Sequence, residues 1–192
     1  MKLFIQRFAA TLMLGLLSMA CSEEEATVKK DPLIGNWKLA PLQGSLAVGP
    51  APGDYSWWSI TAGDLITRAC LYDDVYQFNE DGTFQNVLGS ATWLESFQGV
   101  ANEGCGAPVA PHNGSVQGTW KAENQKLTIT GSGCYMGLPK VHNTAEDGKP
   151  ANNSIIYDYQ LSSDGTSLTL TIKGWLPAVP NATWYFRFTK QS

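Results

Sequence analysis

The feature that most constrains how this chain can fold is a regular alternation of apolar and polar residues, clearest after position 71. Tyr72, Asp74, Tyr76 and Phe78 fall on one face at a period of two, and a turn with glycine at its fourth position follows over 79–82. This period is typical of a β-strand with one buried face, and the turn closes a hairpin. The chain is therefore predicted to build sheet here.

The alternation resumes after the turn on Phe84, Asn86 and Leu88 and continues past Gly89. Glycine inside a strand pattern often marks a bulge or bend rather than an end. We therefore predict one long strand over 83–97, bulged at Gly89.

The same pattern predicts eight amphipathic strands and no long helix. Nineteen Gly and ten Pro among many aromatic and β-branched residues indicate an all-β fold rich in turns. A single helical turn is expected at 64–68. The predicted strands cover 33–40, 72–78, 83–97, 115–121, 126–131, 154–161, 166–173 and 182–190.

Connection lengths predict how these strands are arranged. In an up-and-down meander, successive connections alternate between the two ends of the sheet. Tight turns and long connections also alternate along this chain, so every long loop falls at one end, which we call the rim; the opposite end is the base. We predict an eight-stranded antiparallel up-and-down barrel, a size that is filled by side chains or holds one small ligand. The long connections are 41–71, 98–114, 132–153 and 174–181.

The first 31 residues are predicted to lie outside this domain. A basic start and a short apolar run over 8–20 indicate an export signal, because about 20 apolar residues are needed to span a membrane. Residues 18–21 resemble a bacterial lipobox, which implies cleavage after residue 20 and lipidation of Cys21. We expect an outer membrane lipoprotein with a tether over 21–31 and a barrel domain over 32–192.

The residues after Cys21 are acidic. Residues 22–25 read Ser-Glu-Glu-Glu and resemble the signal that some Gram-negative bacteria use to send lipoproteins to the cell surface. The alternative is that these residues form only a solvated tether. The sequence therefore does not decide between a periplasmic and a cell-surface location.

The net charge and the spacing of the Cys and His residues limit the kinds of partner that we expect for this protein. The formal charge is −4, and loss of Lys2 and Arg7 with the signal makes it −6. Such a chain is not expected to bind nucleic acid, or to meet a membrane other than through its anchor. No Cys-x-x-Cys pair occurs, and His112 and His142 lie thirty residues apart, so we predict no metal or cofactor.

Three cysteines remain in the exported domain, where disulfides can form. All three fall in rim connections of the predicted barrel. We predict a Cys70–Cys105 bond, with Cys105–Cys134 as the alternative.

The sequence Gly35-Asn36-Trp37 on the first strand, the long loop after it and the aromatic last strand resemble lipocalin-like domains of the calycin group. In that group the Trp packs at the closed base, often beneath an Arg from near the chain's end. Trp37 matches the motif. Arg187 is the only candidate Arg, although alternation places it on the face opposite Trp184.

Three further segments resemble a domain found in secreted and surface proteins of glycan-degrading bacteria, sometimes beside laminarinase-type glycoside hydrolases. They are 64–74, 104–112 and 137–140. This resemblance implies a glycan context without implying catalysis.

These observations predict a non-catalytic, lipid-anchored protein that holds a glycan or a small amphipathic molecule at the rim. One alternative is an envelope or assembly protein with a filled barrel that acts through protein contacts. A hydrolase is a third reading, but no catalytic pair of carboxyl groups is legible. The predicted ligand contacts are Trp57, Trp58, Trp93 and Trp175 as aromatic surfaces, Arg68, Asp73 and Asp74 as polar groups, and Tyr135.

Overall fold

A computed structural model describes residues 30–142, 153–174 and 178–192. The fold is all-β with two short helices, α1 (Ala62–Thr67) and α2 (Pro139–His142). The strands are β1 (Gly35–Leu39), β2 (Leu46–Gly49), β3 (Trp58–Ser59), β4 (Val75–Phe78), β5 (Thr83–Val87), β6 (Thr92–Leu94), β7 (Gly104–Gly106), β8 (Gly118–Glu123), β9 (Lys126–Thr130), β10 (Ser154–Leu161), β11 (Ser167–Lys173) and β12 (Thr183–Lys190).

Eight of these strands close into an antiparallel barrel, which confirms the predicted architecture. Their order is β1-β4-β5-β8-β9-β10-β11-β12, and β12 pairs back with β1. At the closure Trp37 lies opposite Lys190, and Leu39 lies opposite Phe188. Strand β2 continues along β12 toward the rim, and β3 pairs with the outer edge of β2.

The predicted long strand over 83–97 is wrong. Strand β5 ends at Val87, and β6 leaves the barrel to form a separate two-stranded sheet with β7. The exposed Gly89-Ser90 pair ends the strand instead of bulging it. The long connections nevertheless share one end, because β6 and β7 pair with each other and leave the alternation of the barrel strands unchanged.

The interior of the barrel is filled by its own inward-facing side chains. These residues alternate with outward-facing ones, most of them polar, along the wall strands, as in other antiparallel sheets with one solvated face. Each of the following is at most 1% exposed: Trp37, Leu39, Tyr76, Phe78, Phe84, Leu127, Ile129, Tyr157, Leu168, Leu170, Phe186 and Phe188.

A segment of the β9–β10 connection also enters the interior from the rim. Over residues 133–141, which we call the plug, the side chains of Tyr135, Met136 and Leu138 are at most 1% exposed. The plug turns at Gly137, where φ is +81° and an added Cβ would lie 2.3 Å from the Phe186 ring. Only glycine fits this close approach without displacing the ring.

Polar side chains of the wall satisfy the backbone of the plug. The Asn86 amide nitrogen donates to the Tyr135 carbonyl at 2.8 Å, and the Tyr135 N–H donates back to Asn86 Oδ1 at 3.2 Å. The Tyr157 hydroxyl bonds both the N–H and the carbonyl of Met136, at 3.0 and 3.1 Å. The Tyr76 hydroxyl donates to the carbonyl oxygen of the plug's central glycine at 3.2 Å. A loop can be buried in this barrel because its backbone groups find partners there.

At the base, Trp37 packs as the lipocalin resemblance implies, but the cation beside it is different. The Trp37 indole donates to the Leu33 carbonyl at 2.8 Å, and the Lys190 ammonium lies 5.3 Å from the ring centroid. Arg187 is exposed on the outer wall, where it bonds Ser167. Arg187 therefore does not take the place beside Trp37 that the resemblance implies: its side chain points outward, as alternation along β12 predicts, while Lys190, at the strand end, reaches the base.

Candidate functional site

The rim is tied together by a disulfide. Cys70, in the β3–β4 connection, bonds Cys105 on β7, with their Cα atoms 5.9 Å apart. This confirms the predicted pair and excludes the Cys105–Cys134 alternative, since Cys134 is a buried free thiol. Closing a loop of this length typically contributes about 2–4 kcal/mol to the free energy of unfolding. The disulfide therefore holds the β3–β4 connection against strand β7.

Arg68 lies at the rim and contacts two other predicted site residues, Trp58 and Trp93. Its guanidinium carbon is 3.9 Å from the Trp93 ring centroid and 5.3 Å from that of Trp58. Its nitrogens lie 3.8 Å from an Asp64 oxygen and 4.0 Å from a Glu103 oxygen. The Arg68 side chain is only 15% exposed, so these contacts fix it in place.

Helix α1 sets the position of Arg68, its C-terminal cap residue. Thr61 and Asp64 form a capping box at the N-terminus, with the Thr61 N–H donating to Asp64 at 2.8 Å and the Asp64 N–H donating to the Thr61 hydroxyl at 3.3 Å. The Thr61 hydroxyl also donates to the Asp64 carboxylate, at 2.7 Å, and this bond together with the one from the Thr61 N–H holds the pKa of Asp64 below its usual range. Asp64 therefore stays ionised beside Arg68. The single helical turn predicted at 64–68 is observed two residues earlier, at Ala62–Thr67.

A second cation lies farther along the rim and was not predicted. The Lys140 ammonium is 2.9 Å from Glu95 and 5.6 Å from the ring centroid of Trp184, which lies 6.4 Å from that of Trp58. Glu95 is 1% exposed; burial raises its pKa, and the ion pair with Lys140 opposes the rise. The sequence feature that could have indicated this ion pair is Glu95, a carboxylate directly after the apolar pair Trp93-Leu94.

The predicted ligand residues divide into those that solvent reaches and those it does not. Trp57 is 46% exposed, Trp58 is half-buried, and Asp73 is exposed. Trp93 is 7% exposed and lies behind Arg68. Trp57, Trp58 and Asp73 are therefore the members of the predicted set most open to a ligand.

Asp74 and Tyr135 lie inside the protein. Asp74 is fully buried and accepts a hydrogen bond from the Thr92 hydroxyl at 2.6 Å, while its other oxygen has no hydrogen-bond partner. Burial raises the pKa of Asp74 to about 7. Tyr135 is 1% exposed, and burial raises the pKa of its hydroxyl. Both residues attach the rim to the barrel rather than face solvent.

Two predicted positions lie outside the described residues, namely Trp175 and the lipidation site Cys21. In the described ranges, no three His, Cys, Asp or Glu side chains are grouped so that they could hold a metal ion. None of the helices in those ranges has the length and apolar character needed to cross a membrane.

Comparison with solved structures gives likenesses of fold. The chain is similar to a lipocalin-like protein from Bacteroides uniformis, with 18% identity, a TM-score of 0.38, and coverage of 84% of this chain and 100% of that one. It is also similar to an uncharacterized protein from Bacteroides eggerthii, with 12% identity, a TM-score of 0.38, and coverage of 82% and 98%. No family model and no curated protein matches the chain. These likenesses say nothing about a ligand.

The raised pKa of Asp74 predicts how stability depends on pH. Its folded-state pKa of about 7 lies above the ordinary value of 3.8, so the folded state keeps this proton to higher pH. The contribution is fully present below about pH 4 and is lost as pH rises to about 7, by up to ~1.4 kcal/mol per pH unit and on the order of 4 kcal/mol in total. Asp74→Asn removes the titration and retains an acceptor for Thr92. We expect urea unfolding at pH 4.5 to 8 to show the wild-type losing stability relative to this variant. If the free energy of unfolding changed with pH in the same way in both proteins, the raised pKa of Asp74 would be contradicted.

Proposed function

We propose that this protein is a lipid-anchored, non-catalytic binding protein that binds a glycan at the rim of its barrel. The observation that carries the proposal is the exposed Trp57 beside Trp58, whose ring lies against the Arg68 guanidinium. Exposed aromatic rings next to polar groups suit the apolar faces and hydroxyl groups of a sugar ring. The rim, rather than the barrel interior, is the binding surface because the plug and the wall side chains occupy the interior.

Exposed carboxylates at the rim favour a glycan over a small amphipathic ligand. The Glu103 side chain is 35% exposed, and Asp73 is exposed at the start of the barrel wall. Carboxylates accept hydrogen bonds from the several hydroxyl groups of a sugar, whereas the apolar part of an amphipathic ligand offers them no donor. The resemblance of 64–74 and 104–112 to a domain of glycan-degrading bacteria supports the same choice.

The states of two rim carboxyl groups, those of Asp74 and Glu95, support a binding role without catalysis. A glycosidase uses two carboxyl groups that face each other about 5–10 Å apart across the bond that breaks. Asp74 is fully buried, and Glu95 is held against Lys140 at 2.9 Å. Neither group faces an open cleft as an acid or a nucleophile would.

The anchor would present the rim away from the membrane. Lys30 lies 3.6 Å from Glu80 in the β4–β5 turn, and the Pro32 carbonyl accepts from Lys190, so the chain enters the barrel at its base. The ten residues from Cys21 to this point reach at most about 35 Å when fully extended. A lipidated Cys21 would therefore hold the base within about 35 Å of the bilayer and leave Trp57, at the opposite end of the barrel, free to face away from it.

A second candidate function is an envelope or assembly role through protein contacts. It is favoured by the filled interior and by two exposed apolar side chains in rim connections, Leu42 at 48% and Ile66 at 80%. Exposed apolar side chains of this kind occur in protein interfaces.

Removing the exposed ring should weaken glycan binding. We expect the soluble form, residues 31–192, to bind one or more glycans on an array, and Trp57→Ala to weaken that binding about ten-fold, a loss of about 1.4 kcal/mol. Ile156→Ala is the matched control, because Ile156 is 57% exposed but lies on the outer wall on β10. Undiminished binding by Trp57→Ala, or no binding to any glycan, would count against the proposal, and the second result would favour the protein-contact role.

The anchor is tested separately by following a labelled fatty acid in cells. We expect the full-length chain to incorporate labelled palmitate and to fractionate with membranes, and Cys21→Ala to do neither. Incorporation that persists in the variant would show that the lipid is not carried by Cys21.

A further inference from the structure

The positive charge of Arg68 at the rim is balanced by its neighbours. Arg68 lies 3.8 Å from Asp64 and 4.0 Å from Glu103, so two carboxylates share one guanidinium. Asp64 also accepts from the Thr61 hydroxyl at 2.7 Å and is held ionised by its capping bonds. Arg68 is therefore not a source of net positive potential at this surface.

The second rim cation is balanced in the same way. The Lys140 ammonium lies 2.9 Å from Glu95, and its side chain is 18% exposed. These two cations therefore face three carboxylates, those of Asp64, Glu95 and Glu103. The exposed Asp73 adds a fourth acidic group near the start of β4.

Around Arg68, the carboxylates are also more exposed to solvent than the guanidinium is. Arg68 is 15% exposed and covered by the Trp93 ring at 3.9 Å, whereas Asp64 is 24% and Glu103 35% exposed. A ligand that contacts Trp58, whose ring lies 5.3 Å from the Arg68 guanidinium, would therefore meet acidic side chains more readily than the guanidinium. Turning Arg68 toward the ligand would break its contacts with the ring and both carboxylates.

We propose that the rim selects uncharged saccharides and rejects those that carry carboxylate or sulfate groups, an inference that rests on the proposed function. Carboxylates accept hydrogen bonds from neutral hydroxyl groups, but an acidic sugar would bring a like charge within about a Debye length, roughly 8 Å at physiological salt. Binding sites gain selectivity from such repulsion as well as from favourable contacts. Glu103, the most exposed of the carboxylates around Arg68, carries the largest part of the discrimination.

The experiment uses an array that pairs neutral oligosaccharides with their uronic-acid and sulfated counterparts, probed with residues 31–192 at low and moderate salt. We expect the neutral member of a pair to bind at least ten-fold more tightly, with a ratio that shrinks as salt screens the repulsion. Glu103→Gln should narrow the ratio several-fold by improving binding of the acidic member. Glu123→Gln is the matched control, because its exposed carboxylate pairs with Lys121 at 2.9 Å on β8, where that strand meets the base.

The possible outcomes distinguish a failure of the proposed selectivity from a failure of the proposed glycan binding. Equal or tighter binding of the acidic members, or a ratio that Glu103→Gln leaves unchanged, overturns the selectivity while glycan binding stands. If the protein bound no glycan on the array, both the selectivity and the proposed function would be overturned.

Discussion

The fold depends on a reciprocal pair of hydrogen bonds between the Asn86 side chain and the backbone of Tyr135. A loop that enters an apolar barrel brings peptide groups that must find partners, and each one left unpaired costs about 1–3 kcal/mol. The wall supplies those partners through Asn86 together with the hydroxyl groups of Tyr76 and Tyr157. The plug can therefore occupy the interior, and space that would otherwise hold a ligand belongs to the core.

This filling moves the candidate site outward, onto the connections that surround the plug. Those connections have few regular strands of their own and are ordered by specific contacts. The Cys70–Cys105 bond joins two of them, and the contacts of Arg68 with Trp58 and Trp93 place the aromatic rings. The Glu95–Lys140 pair links the β6–β7 sheet to the end of the plug. The same contacts that give the rim its shape also balance its charges.

Alternation along the chain predicted the wall strands, because each of them buries one face, and the regular order of tight turns and long connections predicted that these strands form a barrel. Alternation failed at 83–97, where a polar-apolar pattern persisted across Gly89 although the chain had left the wall. Pattern alone cannot distinguish a strand that continues from a new strand that pairs elsewhere. Topology placed all three cysteines at the rim, and the Cys70–Cys105 pair was predicted because these two residues lie in the first two long connections, 41–71 and 98–114.

The plug and the cluster at Arg68 were beyond a local reading of the sequence, since their members come from distant parts of the chain. A signal was nevertheless present. Asp74 and Asn86 stand at positions where the alternation requires apolar residues, and buried polar side chains in proteins have hydrogen-bond partners. Each of them meets a rim segment, Thr92 in one case and Tyr135 in the other. Polar residues on an apolar strand face thus marked where the loops attach.

The most direct test of this account is amide hydrogen exchange, followed by mass spectrometry on peptides that cover the plug. If residues 133–138 are packed inside the barrel, the Tyr135 and Met136 amides, which donate to Asn86 and Tyr157, should exchange as slowly as those of β10 and β12. Residues 50–57 of the rim should exchange far faster. Exchange of the plug at the rate of 50–57 would mean that the barrel opens to solvent, and the placement of the binding surface on the rim would then be wrong.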